Sequence, residues 1–177
     1  ELRKQAIEVI DARKDSLEVA RTVAALAPRL GDDEREVTVH RATERARAEL
    51  DPGSRAPALA ALIDAYPTEQ RAAVAREVLE ATEGQFVLDM EDVLRKVGPY
   101  LDETDQFRAL TSVARVDAES RQSRLAALAP FLSPALLPRA IAIARTIDDD
   151  EAALLVGAAL APQLDAERVT EALAGET

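Results

Sequence analysis

Residues 126–132 read Ala-Ala-Leu-Ala-Pro-Phe-Leu, and this segment decides the fold because the chain repeats it. Close copies lie at 24–30 and 158–164, and two eroded copies lie at 60–66 and 95–101. Each copy ends on an apolar residue, here named its closing residue, and successive closing residues are 31 to 36 positions apart. The five closing residues are Leu30, Tyr66, Leu101, Leu132 and Leu164.

A period in this range is typical of stacked helical repeats, in which each unit contacts only its neighbours. The sequence therefore predicts an all-α fold, an α-solenoid of about five antiparallel helix pairs that form a curved superhelix. Residues 1–177 are expected to be a single helical-repeat domain whose repeats end near the closing residues. The chain opens inside a helical pattern and lacks a polar capping repeat at its end, so we expect it to be part of a longer protein.

Two helices fit each repeat: an A helix that carries the repeated segment and a B helix that follows it. The spacing of Phe107, Leu110 and Ala114 is one of the helical stripes that support this division. No segment alternates with period two for long enough to predict a strand. The predicted A helices are 16–30, 54–66, 86–101, 119–132 and 149–164. The predicted B helices are 33–50, 68–82, 103–117 and 134–147, with further helices at 2–13 and 166–174.

Residues at the predicted helix ends agree with this division. Pro28 lacks an amide hydrogen and crowds the carbonyl of Ala24, so it is expected to bend or end its A helix. Side-chain oxygens just before a helix can cap its free amides. The residues predicted to cap B helices are Asp32, Thr68, Asp102, Ser133 and Asp165, and those predicted to cap A helices are Ser16, Ser54 and one of Asp148, Asp149 and Asp150.

Composition narrows the classes of function. The net charge of −11 opposes binding to nucleic acid, which depends on Lys and Arg that neutralise phosphates. The chain has no Cys, so it can form neither a disulfide nor a thiolate metal site. No apolar run approaches the length of a membrane span, and no signal peptide is recognisable. We therefore expect a cytoplasmic protein that does not enter a membrane.

The stretch from Arg121 to Leu132, in which an arginine precedes Leu-Ala-Ala-Leu-Ala-Pro-x-Leu, resembles HEAT-like α-solenoid repeats. It is most similar to the bacterial repeats that are appended to large signalling and conflict-system proteins, such as STAND-type NTPases with NACHT or NB-ARC modules. The resemblance extends over essentially the whole chain, although Asp64 and Gly98 depart from the pattern. It implies a sensor or scaffold arm, with nucleotide hydrolysis and effector activity elsewhere in the polypeptide.

Residues that could carry catalysis are sparse. The six glycines never reach the spacing of a phosphate-binding loop. His40 is the only histidine, and no Cys or second His is available to share a metal with it. Carboxylate pairs such as Glu91 with Asp92, or Glu103 with Asp105, fit a solvated helix surface, since catalytic pairs need a cleft that separates their pKa values. The sequence predicts no catalytic residue, no cofactor and no metal site.

One arginine recurs after an alanine in successive B helices, and these arginines are the candidate partner-binding residues. A structural ladder, in which each arginine pairs with an acid of the neighbouring repeat, is the first interpretation. The alternative is a basic stripe that meets an acidic partner surface. A second candidate is the apolar stretch 152–161, which is covered by neighbouring helices or mediates self-association. The four arginines are Arg47, Arg76, Arg115 and Arg145.

These observations favour a non-enzymatic scaffold or sensor arm that binds a protein partner or other domains of its own polypeptide. Two alternatives stay open. One is a nucleic-acid-binding protein similar to the HEAT-like alkylpurine DNA glycosylases, whose resemblance implies a basic groove with Trp and Tyr. Here there is no Trp, and Tyr66 and Tyr100 are the only tyrosines. The other is a spacer or clamp within the parent polypeptide.

Overall fold

The structure is a computed structural model that describes residues 15–83 and 89–147, together with 157, 158, 160 and 161. Within these residues the fold is all-α, as predicted, with eight α-helices and no strand. The helices are α1 (Ser16–Leu26), α2 (Asp32–Arg47), α3 (Pro52–Leu62), α4 (Thr68–Thr82), α5 (Met90–Val97), α6 (Glu103–Val113), α7 (Ala118–Leu128) and α8 (Leu137–Ala144).

Some predicted features lie wholly or mostly outside the described residues. They are the helices at 2–13, 149–164 and 166–174, the caps at Asp148–Asp150 and Asp165, the closing residue Leu164 and the apolar stretch 152–161.

The chain forms two compact units, of which the first ends at Tyr100 and the second begins at Leu101. In the first unit, the A helix α1 packs against the next A helix, α3, and α3 packs against α5. The B helix α2 packs against both α1 and α3, and α4 packs against α3. In the second unit, α7 packs against α6 and α8. Each unit is thus built from consecutive helices that contact their neighbours.

Every described A helix ends in the same way, with a 3₁₀ turn followed by a closing residue. These turns are Ala27–Arg29, Ile63–Ala65, Gly98–Tyr100 and Ala129–Phe131. The α-helical part of the first ends at Leu26, and Pro28 lies inside the turn, so the predicted end of this helix is confirmed. The turn at Ile63–Ala65 has no proline and nevertheless forms, so proline favours this geometry without being required for it.

The closing residues anchor these turns in the core. Leu30, Leu101 and Leu132 retain 7%, 7% and 4% of their surface, while Tyr66 is half-buried. The backbone of Leu30, Tyr66 and Leu132 is extended, and each amide donates to the carbonyl three residues earlier at 3.2–3.3 Å. The chain therefore leaves each A helix along a direction that buries one large apolar side chain.

Small side chains let the A helices approach one another closely. In α3 the buried residues include Ala56, Ala58 and Ala60, all at most 2% exposed, with Leu59 and Leu62 fully buried between them. Because an alanine side chain is a single methyl group, neighbouring helices come near enough for the leucines to fill the space between them. The alanine-rich composition thus serves a thin, closely packed core.

The caps of the A helices differ from the prediction by a few residues. Asp15 caps α1, and its carboxylate accepts two backbone amides at 2.8 and 3.0 Å. Asp51 caps α3, and its carboxylate accepts the backbone amide of Gly53 at 3.2 Å. Ser16 is buried and donates to Glu49 instead, and the Ser54 hydroxyl donates to Asp51. A carboxylate has two acceptor oxygens and carries a charge that the helix N-terminus favours, so aspartate takes the cap position.

Of the described residues that were predicted to cap B helices, Asp102 does so, accepting a backbone amide of α6 at 2.9 Å. Asp32 and Thr68 are instead the first residues of α2 and α4. Ser133 precedes a short 3₁₀ turn, and its hydroxyl donates to Glu103 at 2.9 Å rather than accepting an amide.

Two leucines allow a matched test of this core. Leu62 is fully buried, whereas Leu50 is 93% exposed. We expect Leu62→Ala to lower the free energy of unfolding by about 3 kcal/mol, because it removes buried methyl groups and leaves a cavity. Leu50→Ala should change it by less than about 0.5 kcal/mol. Urea unfolding followed by circular dichroism measures both, and equal effects of the two substitutions would contradict this packing.

Candidate interaction surface

The structure places the four candidate arginines at different points of their helices. Arg47 is the last residue of α2, and Arg76 lies in the middle of α4. Arg115 lies in the turn after α6, and Arg145 directly follows α8. All four are exposed. Arg47 and Arg76 belong to the first unit, and the other two belong to the second.

Arg47 forms the kind of contact that the ladder interpretation requires. Its Nε and Nη2 atoms donate to the two carboxylate oxygens of Glu77 on α4, both at 2.8 Å, and Nη1 donates to Glu44 at 3.0 Å. The Glu77 carboxylate is the main reason that the pKa of Arg47 is raised. A two-pronged pair of this kind joins consecutive B helices with a defined geometry.

Asp64 is the centre of a second link, although the sequence marked it as a departure from the repeated segment. Its carboxylate accepts a hydrogen bond from Lys96 at 2.9 Å and another from the Tyr100 hydroxyl at 3.0 Å. The hydrogen bond from Lys96, followed by that from Tyr100, lowers the pKa of Asp64. Asp64, which stands where the first copy has proline, is therefore hydrogen-bonded to two residues of the third copy.

Arg71 completes this link from α4. It donates to the carbonyl oxygens of Tyr66 at 2.9 Å and Asp64 at 3.1 Å, and to the Tyr100 hydroxyl at 3.3 Å. Its guanidinium carbon also lies 5.6 Å from the centre of the Tyr100 ring. One arginine thus ties the closing turn of the second copy to the turn of the third.

Tyr66 joins the same region to α2. Its hydroxyl is hydrogen-bonded to Thr43, whose own hydroxyl donates to the carbonyl of Val39 at 2.8 Å, so Tyr66 is the donor to Thr43. Burial is the main cause of a raised pKa for the Tyr66 hydroxyl. Both tyrosines of the chain therefore use their hydroxyl groups to join different helices.

Gln106 forms an equivalent link in the second unit. It is only 7% exposed, and its side-chain amide donates to the carbonyl of Leu101 at 3.0 Å. Its side-chain oxygen accepts the backbone amide of Ser133 at 2.7 Å. Leu101 is the closing residue of the third copy, and Ser133 directly follows Leu132, the closing residue of the fourth copy.

Arg71, Gln106 and Arg121 share one arrangement, which we name the fourth-residue link. Each is the fourth residue of its helix, and each donates to the carbonyl that lies five positions earlier, just before the helix cap. Each also bonds a group 25 to 29 residues further along the chain, which for Arg121 is the Thr146 hydroxyl at 2.7 Å. These side chains satisfy a backbone carbonyl and connect two helices at once.

Sequence reasoning missed the fourth-residue links because it searched for a regular series of arginines. The available signal was a long polar side chain, Arg or Gln, at the fourth position of a helix; for Arg71 and Gln106 that helix follows a closing turn, and for Arg121 it follows the B helix α6. That signal is local, whereas the second partner of each link is set by tertiary packing. Arg47, Arg76, Arg115 and Arg145 are all exposed, and Arg47 forms an inter-helix ion pair with Glu77.

The described residues carry no group of three or more metal-ligating side chains. His40 lies on the exposed side of α2. Of the carboxylate pairs considered from sequence, Glu103 accepts a hydrogen bond from Ser133, and Asp105 is buried 3.6 Å from Arg108. In the part of the chain that the structure covers, no helix is both long and apolar enough to cross a membrane.

Comparison with known proteins yielded no match to any family model, any curated protein or any solved structure.

The pair between Arg47 and Glu77 can be tested with a double-mutant cycle. Because both side chains are about one-third to one-half exposed, we expect a coupling of about 0.5–1 kcal/mol between Arg47→Gln and Glu77→Gln. The coupling should shrink in about 1 M NaCl, where charges are screened within a few ångströms. Urea unfolding of the two single variants and the double variant measures it. Zero coupling at low salt would show that the ion pair between Arg47 and Glu77 does not stabilise the contact between α2 and α4.

Gln106 offers a sharper test because it is buried. Gln106→Met keeps the approximate shape of the side chain but leaves the Leu101 carbonyl and the Ser133 amide without their hydrogen bonds to Gln106. We expect the free energy of unfolding to fall by about 2 kcal/mol. The exposed Gln70 provides the control, and Gln70→Met should change the value by less than about 0.5 kcal/mol. Thermal and urea unfolding compare the two variants, and a stable Gln106→Met protein would refute the link.

Proposed function

We propose that this chain is a non-enzymatic protein-interaction scaffold, the HEAT-like solenoid arm of a larger cytoplasmic bacterial signalling or defence protein. The observation that carries the proposal is the recurrence of one closing turn at the end of four successive A helices. Units that repeat a helix, a turn and a buried closing residue stack on one another and present a broad surface along the stack.

The distribution of contacts supports a binding surface on the B helices. In the first unit, the A helix α3 buries both of its leucines and most of its alanines, whereas the B helices α2 and α4 expose apolar residues at similar distances from the preceding closing residue. Val37 is 40% exposed, and Ala72 and Ala73 are also exposed. In the second unit, Phe107 of α6 is 45% exposed. Exposed apolar side chains at a repeated position suit a partner that contacts consecutive B helices of a unit.

Under this proposal the four arginines have two different roles, one structural and one in binding a partner. Arg47 serves as a rung of the ladder through Glu77. Arg76, Arg115 and Arg145 remain the proposed partner-binding residues, since arginine is favoured at interface hot spots. Their exposure makes them accessible to a second protein.

The nucleic-acid alternative is less favoured by the same contacts. A glycosylase-like site uses aromatic rings that are free to stack on a base. Here the Tyr66 hydroxyl is bonded to Thr43, and Tyr100 is bonded to Asp64 and lies beside the Arg71 guanidinium. The net charge of −11 opposes phosphate binding as well.

An affinity experiment tests the scaffold proposal. The full chain is immobilised and exposed to lysate of the organism that encodes it, with and without phage infection, and bound proteins are identified by mass spectrometry. We expect one enriched protein whose capture falls about tenfold with Arg76→Glu plus Arg115→Glu, while the melting temperature stays unchanged. Arg95→Glu, which removes an arginine paired within its own helix, is the control.

Two other outcomes would contradict the proposal. Capture of nothing except other domains of the same polypeptide would identify an internal spacer or clamp. A salt-sensitive shift of DNA by the purified chain would favour the nucleic-acid alternative.

A further inference from the structure

Arg124 on α7 is a buried cation. It retains 9% of its surface, although arginine is rarely buried unless its charge is paired. Among the residues that the structure describes, its guanidinium donates no hydrogen bond and forms no ion pair. Its nitrogen atoms are not among the fully enclosed atoms that lack a partner, so they can be reached from the surface. A buried positive charge without a partner destabilises the fold, and this one calls for an anion.

Asp117 is the acid whose charge interacts with that of Arg124, but the two residues do not form an ion pair. Asp117 is exposed, and its carboxylate accepts the backbone amide of Ser120 at 2.9 Å. This hydrogen bond is the main cause of the lowered pKa of Asp117, and the charge of Arg124 is a lesser one. Asp117 and Arg124 lie about two helical turns apart, so the attraction acts over a distance and leaves the guanidinium donors of Arg124 unused.

Arg121 lies about one turn before Arg124 on the same face of α7, since residues three apart are neighbours on a helix surface. Its Nη1 atom donates to the carbonyl and the hydroxyl of Thr146, and its Nη2 atom donates to the carbonyl of Val116. Its Nε atom is buried and has no hydrogen-bond partner in the described part of the chain. None of the acceptors carries a charge. Two positive charges therefore adjoin on one helix face, and no described carboxylate is bound to either.

We propose that Arg124 and Arg121 form a binding site for a single carboxylate group. The guanidinium of Arg124 can donate two parallel hydrogen bonds to the two carboxylate oxygens, which is the geometry that these groups favour. The charge of Arg121 adds to the attraction. A singly charged carboxylate suits the site better than a phosphate group, because Asp117 repels additional negative charge. This inference goes beyond the scaffold proposal, since a free carboxylate requires no protein partner.

Thermal unfolding of the full chain tests the site. Melting temperatures are measured at neutral pH and constant ionic strength while sodium chloride is replaced by sodium acetate up to about 0.2 M. We expect acetate to raise the melting temperature of the unaltered chain by about 2 °C more than that of Arg124→Met, whose response measures the general effect of the salt. In chloride alone, Arg124→Met should melt about 3 °C higher than the unaltered chain, because it removes an unpaired buried charge.

Two further variants complete this test. Arg124→Gln, which keeps a polar side chain, should also lose the specific response to acetate. Arg29→Gln removes an exposed arginine of the first unit and should respond as the unaltered chain does. Circular dichroism checks that every variant is folded.

A peptide distinguishes the two sources of a carboxylate. The probe is a capped Gly-Asp-Gly tripeptide, and the matched probe is Gly-Asn-Gly. Stabilisation by the Asp peptide at a lower concentration than acetate requires would identify the acidic side chain of a protein as the ligand. Stabilisation by acetate alone would identify a small organic acid.

Three results would overturn the site. The first is an equal response of the unaltered chain and Arg124→Met to acetate. The second is a lower melting temperature of Arg124→Met in chloride, which would show that Arg124 is paired within the fold. The third concerns the acids at 148–151, which follow Ile147 in the sequence. If acetate stabilises only a variant in which these acids are changed to Asn and Gln, the chain's own carboxylates neutralise the arginines and no external carboxylate binds.

Discussion

Burial of one apolar residue at the end of each A helix is the constraint on which the rest of this structure depends. The 3₁₀ turn tightens the helix end, and the extended closing residue then inserts into the core. Because the turn ends the A helix at a fixed point, the B helices α2, α4 and α8 pack beside the A helices that precede them, α1, α3 and α7. Proline favours the turn by removing an amide donor, but it is not required, because the turn at Ile63–Ala65 forms without it.

Polar side chains add connections that the apolar core cannot provide. Alanine-rich surfaces are smooth and non-directional, so helices packed through them could slide past one another at little cost in free energy. Hydrogen bonds have defined lengths and directions, and the fourth-residue links join particular carbonyls to particular helices. Asp64 shows how a departure from the repeat becomes such a connection, since its carboxylate holds Lys96 and Tyr100 where proline could bind neither.

The same division explains where a partner could bind. Much of the apolar surface of the A helices is buried in packing, and the links at Arg71 and Gln106 use polar groups near the closing turns. The solvent sides of the B helices are left with exposed arginines and a few exposed apolar side chains, such as Phe107 beneath Arg139.

The sequence by itself determined the all-α class, the described helices to within a few residues at each end, and the ends of the A helices, because helical spacing and proline act over a few neighbouring positions. It did not determine the links. Asp64 departed from the repeated segment, and Gln106 was not singled out. Arg47 shared its Ala-Arg step with three other arginines, of which Arg76 lies inside its helix and Arg115 and Arg145 follow theirs. Only the tertiary structure decided that Arg47 meets Glu77, that Gln106 meets Ser133 and that Arg139 meets Phe107. The two residues of each pair are about 30 positions apart in the chain, so they meet only when packed helices place them side by side.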